Sequence, residues 1–197
     1  MSTRQTTTGI ISFFFVIVFF LVSIYLGWLW IFCRFYVPSQ YMAIITAKEG
    51  KDLAPGQILA QPGQKGVLEA PLAEGRHFRN PVFYEWKIVP AIKIPAGKVG
   101  IVTSKVGTEL PAGEFLADKG QKGVWKRVLG PGVYRLNPLG YKIDIVDAIS
   151  IPIGYVGVVT SLSGAKATEG SFAEAGQKGV RADILQPGLY YVNNNAY

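Results

Sequence analysis

Three prolines, Pro38, Pro95 and Pro152, stand 57 residues apart, and the same text recurs around each. The first copy runs through Val37-Pro38, Ala43-Ile44-Ile45-Thr46, Gly63-Gln64-Lys65-Gly66-Val67, Gly75-Arg76-His77-Phe78 and Asn80-Pro81. The second has Ile94-Pro95-Ala96-Gly97, Gly100-Ile101-Val102-Thr103-Ser104, Gly120-Gln121-Lys122-Gly123-Val124, Gly132-Val133-Tyr134 and Asn137-Pro138. The third has Ile151-Pro152-Ile153-Gly154, Gly157-Val158-Val159-Thr160-Ser161, Gly176-Gln177-Lys178-Gly179-Val180, Gly188-Leu189-Tyr190 and Asn193. Several separate motifs keep one register, so the chain must fold as tandem copies of a small unit. A unit this short buries little area alone and has to share an interface with its neighbours.

Lys98–Ser104 is a β-branched run after a Pro-Ala-Gly turn and reads as a strand. A Pro/Gly-rich excursion follows it. Beyond Gly-Gln-Lys-Gly, the apolar residues Val124, Val128 and Leu129 recur at i, i+4, i+5, as do Val180, Ile184 and Leu185, a spacing that predicts one or two helical turns. Pro131-Gly132 then breaks the chain before a strand at 133–136, and the alternation over 141–146 predicts an exit strand. Tyr197 aligns with Tyr141, so the third copy lacks the counterpart of that strand. The expectation is that these residues are the N-terminal part of a longer polypeptide.

Ahead of the repeats, Ile10–Cys33 is almost wholly apolar, and no ionisable acid or base falls between Gln5 and Cys33. At ~1.5 Å per residue such a run exceeds the ~30 Å hydrocarbon core of a bilayer. It is too long for the apolar region of a signal peptide and ends without a small-residue cleavage pattern. An uncleaved transmembrane helix over about 10–33 is the preferred reading. Tyr25, Trp28, Trp30, Phe35 and Tyr36 gather at its far end, where aromatic rings favour the headgroup level, and Arg34 can reach the same level. These six residues are the candidate membrane-interface set. Ser23 and Gly27 form a small-xxx-small pair suited to close helix approach. Lys and Arg near the two ends lean toward a cytoplasmic C-terminal part. The domain plan is therefore an anchor at 1–36, modules at 37–93 and 94–150, and a third, incomplete at its C-terminal strand, at 151–197.

The chain carries a formal net charge of +7, with the excess of the repeat region in modules one and two. Basic residues alternate with acids there, which suits apposition to anionic headgroups better than nucleic-acid binding, where a denser basic stripe with aromatics is expected. Gly-Gln-Lys-Gly resembles the backbone-clamping loop of KH modules. The repeat explains its recurrence without a ligand, because each unit needs the same turn; the glycines Gly63, Gly66, Gly120, Gly123, Gly176 and Gly179 are assigned to repeat turns. His77 is the only histidine and Cys33 the only cysteine, so no disulfide and no cysteine-based metal site can form. Cys33 would be open to palmitoylation on a cytoplasmic face, but a small apolar residue at the helix end is the preferred reading. Glu109, Glu114, Asp144 and Asp147 fall at turn and strand positions and are assigned no role. No nucleophile elbow, phosphate loop or metal-spaced cluster is present, and neither catalytic residues nor a cofactor is expected.

The stretch 94–104 together with Leu129-Gly130-Pro131-Gly132-Val133-Tyr134-Arg135-Leu136-Asn137-Pro138 resembles the SPFH, or band 7, superfamily, which includes stomatins, prohibitins and flotillins. The resemblance covers residues 37–197. It implies a single-pass protein of a bacterial inner membrane or another cell membrane, with SPFH-like, mainly β (α+β) modules. It further implies a non-enzymatic, prohibitin-like or flotillin-like scaffold of a membrane microdomain. Partners would be the lipid bilayer, copies of itself in a large ring or cage, other SPFH subunits and client membrane proteins. The alternative is an accessory or regulatory subunit of a membrane complex such as a protease or respiratory assembly. The chain departs from the family pattern in carrying several modules and no long heptad region.

Overall fold

A computed structural model describes residues 2–174, 176–194, 196 and 197, with side chains described from Phe13 onward. Helix α1 spans Ser2–Ile31, and within it Phe13–Ile31 is long and apolar enough to cross a bilayer. Its described side chains are almost all exposed and none is buried, with Trp30 near its end meeting the Phe78 ring of the β-rich part. The helix ends two residues before the expected boundary. Cys33 lies beyond the helix, buried at the start of the β-rich part, and its carbonyl accepts the Arg79 N–H at 2.8 Å.

Everything after α1 is built from short strands. The first copy contains β1 (Arg34–Val37), β2 (Tyr41–Ala47), β3 (Gly66–Val67), β4 (Gly75–Phe78) and β5 (Tyr84–Pro90). The second contains β6 (Ile92–Ile94), β7 (Lys98–Ser104), β8 (Gly123–Val124), β9 (Gly132–Tyr134) and β10 (Tyr141–Asp147). The third contains β11 (Ile149–Ile151), β12 (Gly157–Ser161), β13 (Ala165–Lys166), β14 (Gln177–Leu185) and β15 (Gly188–Tyr190). The opening strand pairs antiparallel with the one after the Gly-rich break: β1 with β4, β6 with β9, β11 with β15. The long second strand is flanked on both edges, β2 by β3 and β5, and β7 by β8 and β10. Each of these strand sets begins two or three residues ahead of the sequence boundaries at 37, 94 and 151.

The Pro-x-Gly corners explain the sharp reversal between first and second strands. Tyr41, Lys98 and Tyr155 each donate an N–H to the carbonyl of Pro38, Pro95 and Pro152, and the third corner residue has positive φ. Gly97 and Gly154 supply it freely. Gln40 adopts φ 63° in the first copy, the only non-glycine among the described residues to do so.

The predicted helical turns at 124–129 and 180–185 do not form. Trp125 N–H instead bonds the Val102 carbonyl, and Leu129 exchanges both backbone bonds with Gly100, so the segment touches the edge of β7 twice. In the third copy the same stretch is the continuous strand β14, which pairs with β12 across a bulge between Val158 and Thr160. The i, i+4, i+5 spacing records these two edge contacts around a bulge, because β7 and β12 satisfy the backbone groups a helix would have used.

In the first module Phe35, Val37, Ala43 and Ile45 form a buried cluster with Leu68, Leu72, Tyr84 and Trp86 against it. Phe35 lies flat on Trp86, centroids 4.5 Å apart and planes 11° from parallel. Fully burying side chains of this size contributes roughly 1.5–3 kcal/mol each. Ile45→Ala should cost about 2–5 kcal/mol by leaving a cavity. Chemical denaturation of the detergent-solubilised chain measures this, with the surface change Lys93→Ala as reference.

Candidate functional site

The conspicuous constellation is the seam between modules, built from an asparagine that each copy repeats. Asn137, fully buried, donates from Nδ2 to the Leu68 carbonyl of the preceding module at 2.9 Å; Asn193 donates to the Trp125 carbonyl at 2.7 Å. The two acceptors are themselves one repeat apart, both following the Gly-Gln-Lys-Gly-Val turn. The Asn137 Oδ1 accepts the Leu139 N–H, shaping its own turn at the same time. A second bond crosses the first seam, from the Tyr141 hydroxyl to Glu69 Oε1 at 2.6 Å, with an Arg135–Glu74 ion pair at 3.3 Å beside it. Gly140 is held against Leu59 so closely that a Cβ would collide with its side chain.

The Gly-Gln-Lys-Gly turns are part of this framework. All six repeat glycines have positive φ, from 84° at Gly176 to 142° at Gly179. Gln64, Gln121 and Gln177 each accept, on the side-chain oxygen, the backbone N–H three residues earlier, from Gln61, Asp118 and Glu174. The Lys residues do not converge; Lys122 pairs with Glu109 at 2.6 Å. Glu114 and Asp118 both face Lys126, and Asp144 and Asp147 pair with Lys142 and Lys98. Among the described residues no group of three or more His, Cys, Asp or Glu is gathered as for a metal ion.

His77 has a structural counterpart that its neighbours reveal. Its Nε2 lies 2.8 Å from the Ala73 carbonyl, and at the same repeat position Tyr134 and Tyr190 bond the carbonyls of Gly130 and Gln186, four residues back. One ring in each copy thus ties down the approach to the strand, a role the alignment of His77 with Tyr134 could have suggested.

Of the interface set, Tyr25, Trp28, Trp30, Arg34 and Tyr36 expose side chains around the helix end, with Arg34 5.1 Å from the Trp30 ring centroid. Phe35 does not: it is turned into the first module's core, because β1 alternates and Phe35 shares the inward face with Val37. The Val82, Phe83 and Phe78 side chains, which sequence reasoning passed over, are exposed, and the Phe78 ring stands edge-on to Trp30 at the helix end.

Comparison with family models, with curated proteins and with solved structures returns no match for this chain.

Two outcomes follow from the seam. Asn137→Ala and Asn193→Ala each remove a buried amide's bond to a part-buried carbonyl and should cost about 1–3 kcal/mol. Asn80→Ala, whose side chain bonds only its own turn at the Val82 N–H, should cost less than either. Calorimetric melting of the three variants ranks them. Burial, then the hydrogen bond to Glu69, pushes the Tyr141 phenol well above the ordinary tyrosine range. A raised folded-state pKa stabilises below the unfolded value of about 10 and is lost as pH climbs through the folded value. An ultraviolet titration should therefore show a late tyrosinate step that is absent in Tyr141→Phe, with the first seam weakening over the same alkaline range.

Proposed function

We propose that the chain is a non-enzymatic membrane scaffold, anchored by α1 and assembling side by side through its β-modules into a ring or cage around a patch of bilayer or client membrane proteins. The resemblance of residues 37–197 to the SPFH superfamily supports this reading, as does an N-terminal helix fit to span a membrane. The observation that carries it is an outward-facing apolar helix joined directly to a series of β-modules that dock on one another through repeated asparagine bonds, Asn137 to the Leu68 carbonyl and Asn193 to the Trp125 carbonyl. A unit that already packs in series on its own copy offers the same kind of surface to a neighbouring subunit.

Mass photometry of the detergent-solubilised chain tests the reading. A large, discrete homo-oligomer is expected. A stable monomer, or a one-to-one complex with a single membrane partner, would replace the scaffold with the accessory-subunit reading.

A further inference from the structure

The turn Asn80–Phe83 differs from its two counterparts in what it meets. In the second and third copies the equivalent turns are docked on the module before them, with a small residue at the fourth position: Gly140, pressed against Leu59, and Ala196, buried. The first copy follows α1 directly and carries Phe83 there, a ring that the Gly140 site would not admit. Val82 and Phe83 are 56% and 42% exposed, and Phe78 is about as open.

The backbone fixes where this turn lies. Strand β1 leaves the end of α1, and β4 returns antiparallel to it, Arg34 opposite Phe78. The Arg79 N–H bonds the Cys33 carbonyl, and the Phe78 ring meets Trp30 edge-on, centroids 6.2 Å apart. The chain therefore comes back to the level of the helix end before it turns at Asn80. The headgroup layer on each side of the hydrocarbon is roughly 5–7 Å deep, no more than two residues of extended chain at ~3.3 Å each. Lys48 is tied to the same turn, Nζ to the Pro81 carbonyl at 2.8 Å, and Arg34 and Arg79 flank it. The nearby acids are Glu49, next to Lys48, and Glu85, opposite Thr46. Three cations against two acids around three exposed apolar side chains match a headgroup boundary, with rings and aliphatics below and cations at the phosphate level.

We propose that the Asn80–Phe83 turn, with Phe78 beside it, is a second membrane contact that seats at the headgroup–acyl boundary of the bilayer crossed by α1 and so fixes the tilt of the module array. The proposal rests on the reading of α1 as a span. A rigid array held at two points cannot swivel about the short Phe32–Cys33 connection, and every subunit then presents its modules at one angle.

The full chain, reconstituted in phosphatidylcholine–phosphatidylglycerol vesicles containing nitroxide-labelled lipids, tests it. An environment-sensitive fluorophore is attached at Val82→Cys, at Leu139→Cys (the same turn position in the second copy) or at Phe20→Cys within the helix. Cys33 is only 2% exposed and can be kept or replaced by alanine. The expected result is blue-shifted emission at position 82 with shallow-nitroxide quenching several-fold stronger than at 139, reduced when Phe83→Gly is added, and deep-nitroxide quenching at 20. Quenching at 82 no greater than at 139, with 20 quenched, overturns the second contact and leaves the span standing. Absence of quenching at 20 overturns the span and the second contact together.

Discussion

A sheet of three short strands has two faces, and 57 residues supply enough apolar side chains to cover one of them. The inner face of β2 is closed within its own module by Phe35, Val37, Leu68, Leu72 and Trp86. On the other face Ile44 and Thr46 line a cleft shared with Pro138 and Leu139 of the following module. Covering that face brings a turn deep into a neighbour, and a buried turn must satisfy its polar groups. The Asn137 amide does so twice over, shaping its own turn through Oδ1 and closing the seam through Nδ2 on the Leu68 carbonyl. Because donor and acceptor both belong to the repeat, Asn193 and Trp125 make the same bond one module later.

This seam gives the array a direction. The second and third modules each offer a turn to the one before, and the first and second each offer a carbonyl to the one after. At the first turn Val82 and Phe83 are exposed, where Gly140 and Ala196 of the later copies are buried.

The strands at 98–104 and 141–147 were legible because alternation and β-branching report directly on a pleated, half-buried segment. The segment 124–129 was not: its apolar spacing fits a helix as well as it fits a chain touching a strand edge twice, and only the partner strand decides between them. Phe35 was misplaced for a related reason. It lies four residues past the apolar helix among other aromatics, and nothing in its spacing reveals that β1 begins at Arg34 and turns it toward Trp86. The seam asparagines stood in the aligned text, yet an Asn-Pro dipeptide reads first as a turn. Its second bond, 69 residues away in sequence, has no local signature.

By itself the sequence determined the apolar helix, the period, the glycine turns of the repeat and the absence of any cysteine pairing within the chain. These are properties of composition and short-range geometry, which a chain carries before it folds. Tertiary structure alone decided which strands flank β2 and β7, that Asn137 and Asn193 close the seams, and that the first turn stays open where its copies are packed. All three depend on contacts between residues far apart in the chain. The same four-residue turn is packed on a neighbour in one module and open in another because of what lies next to it in space.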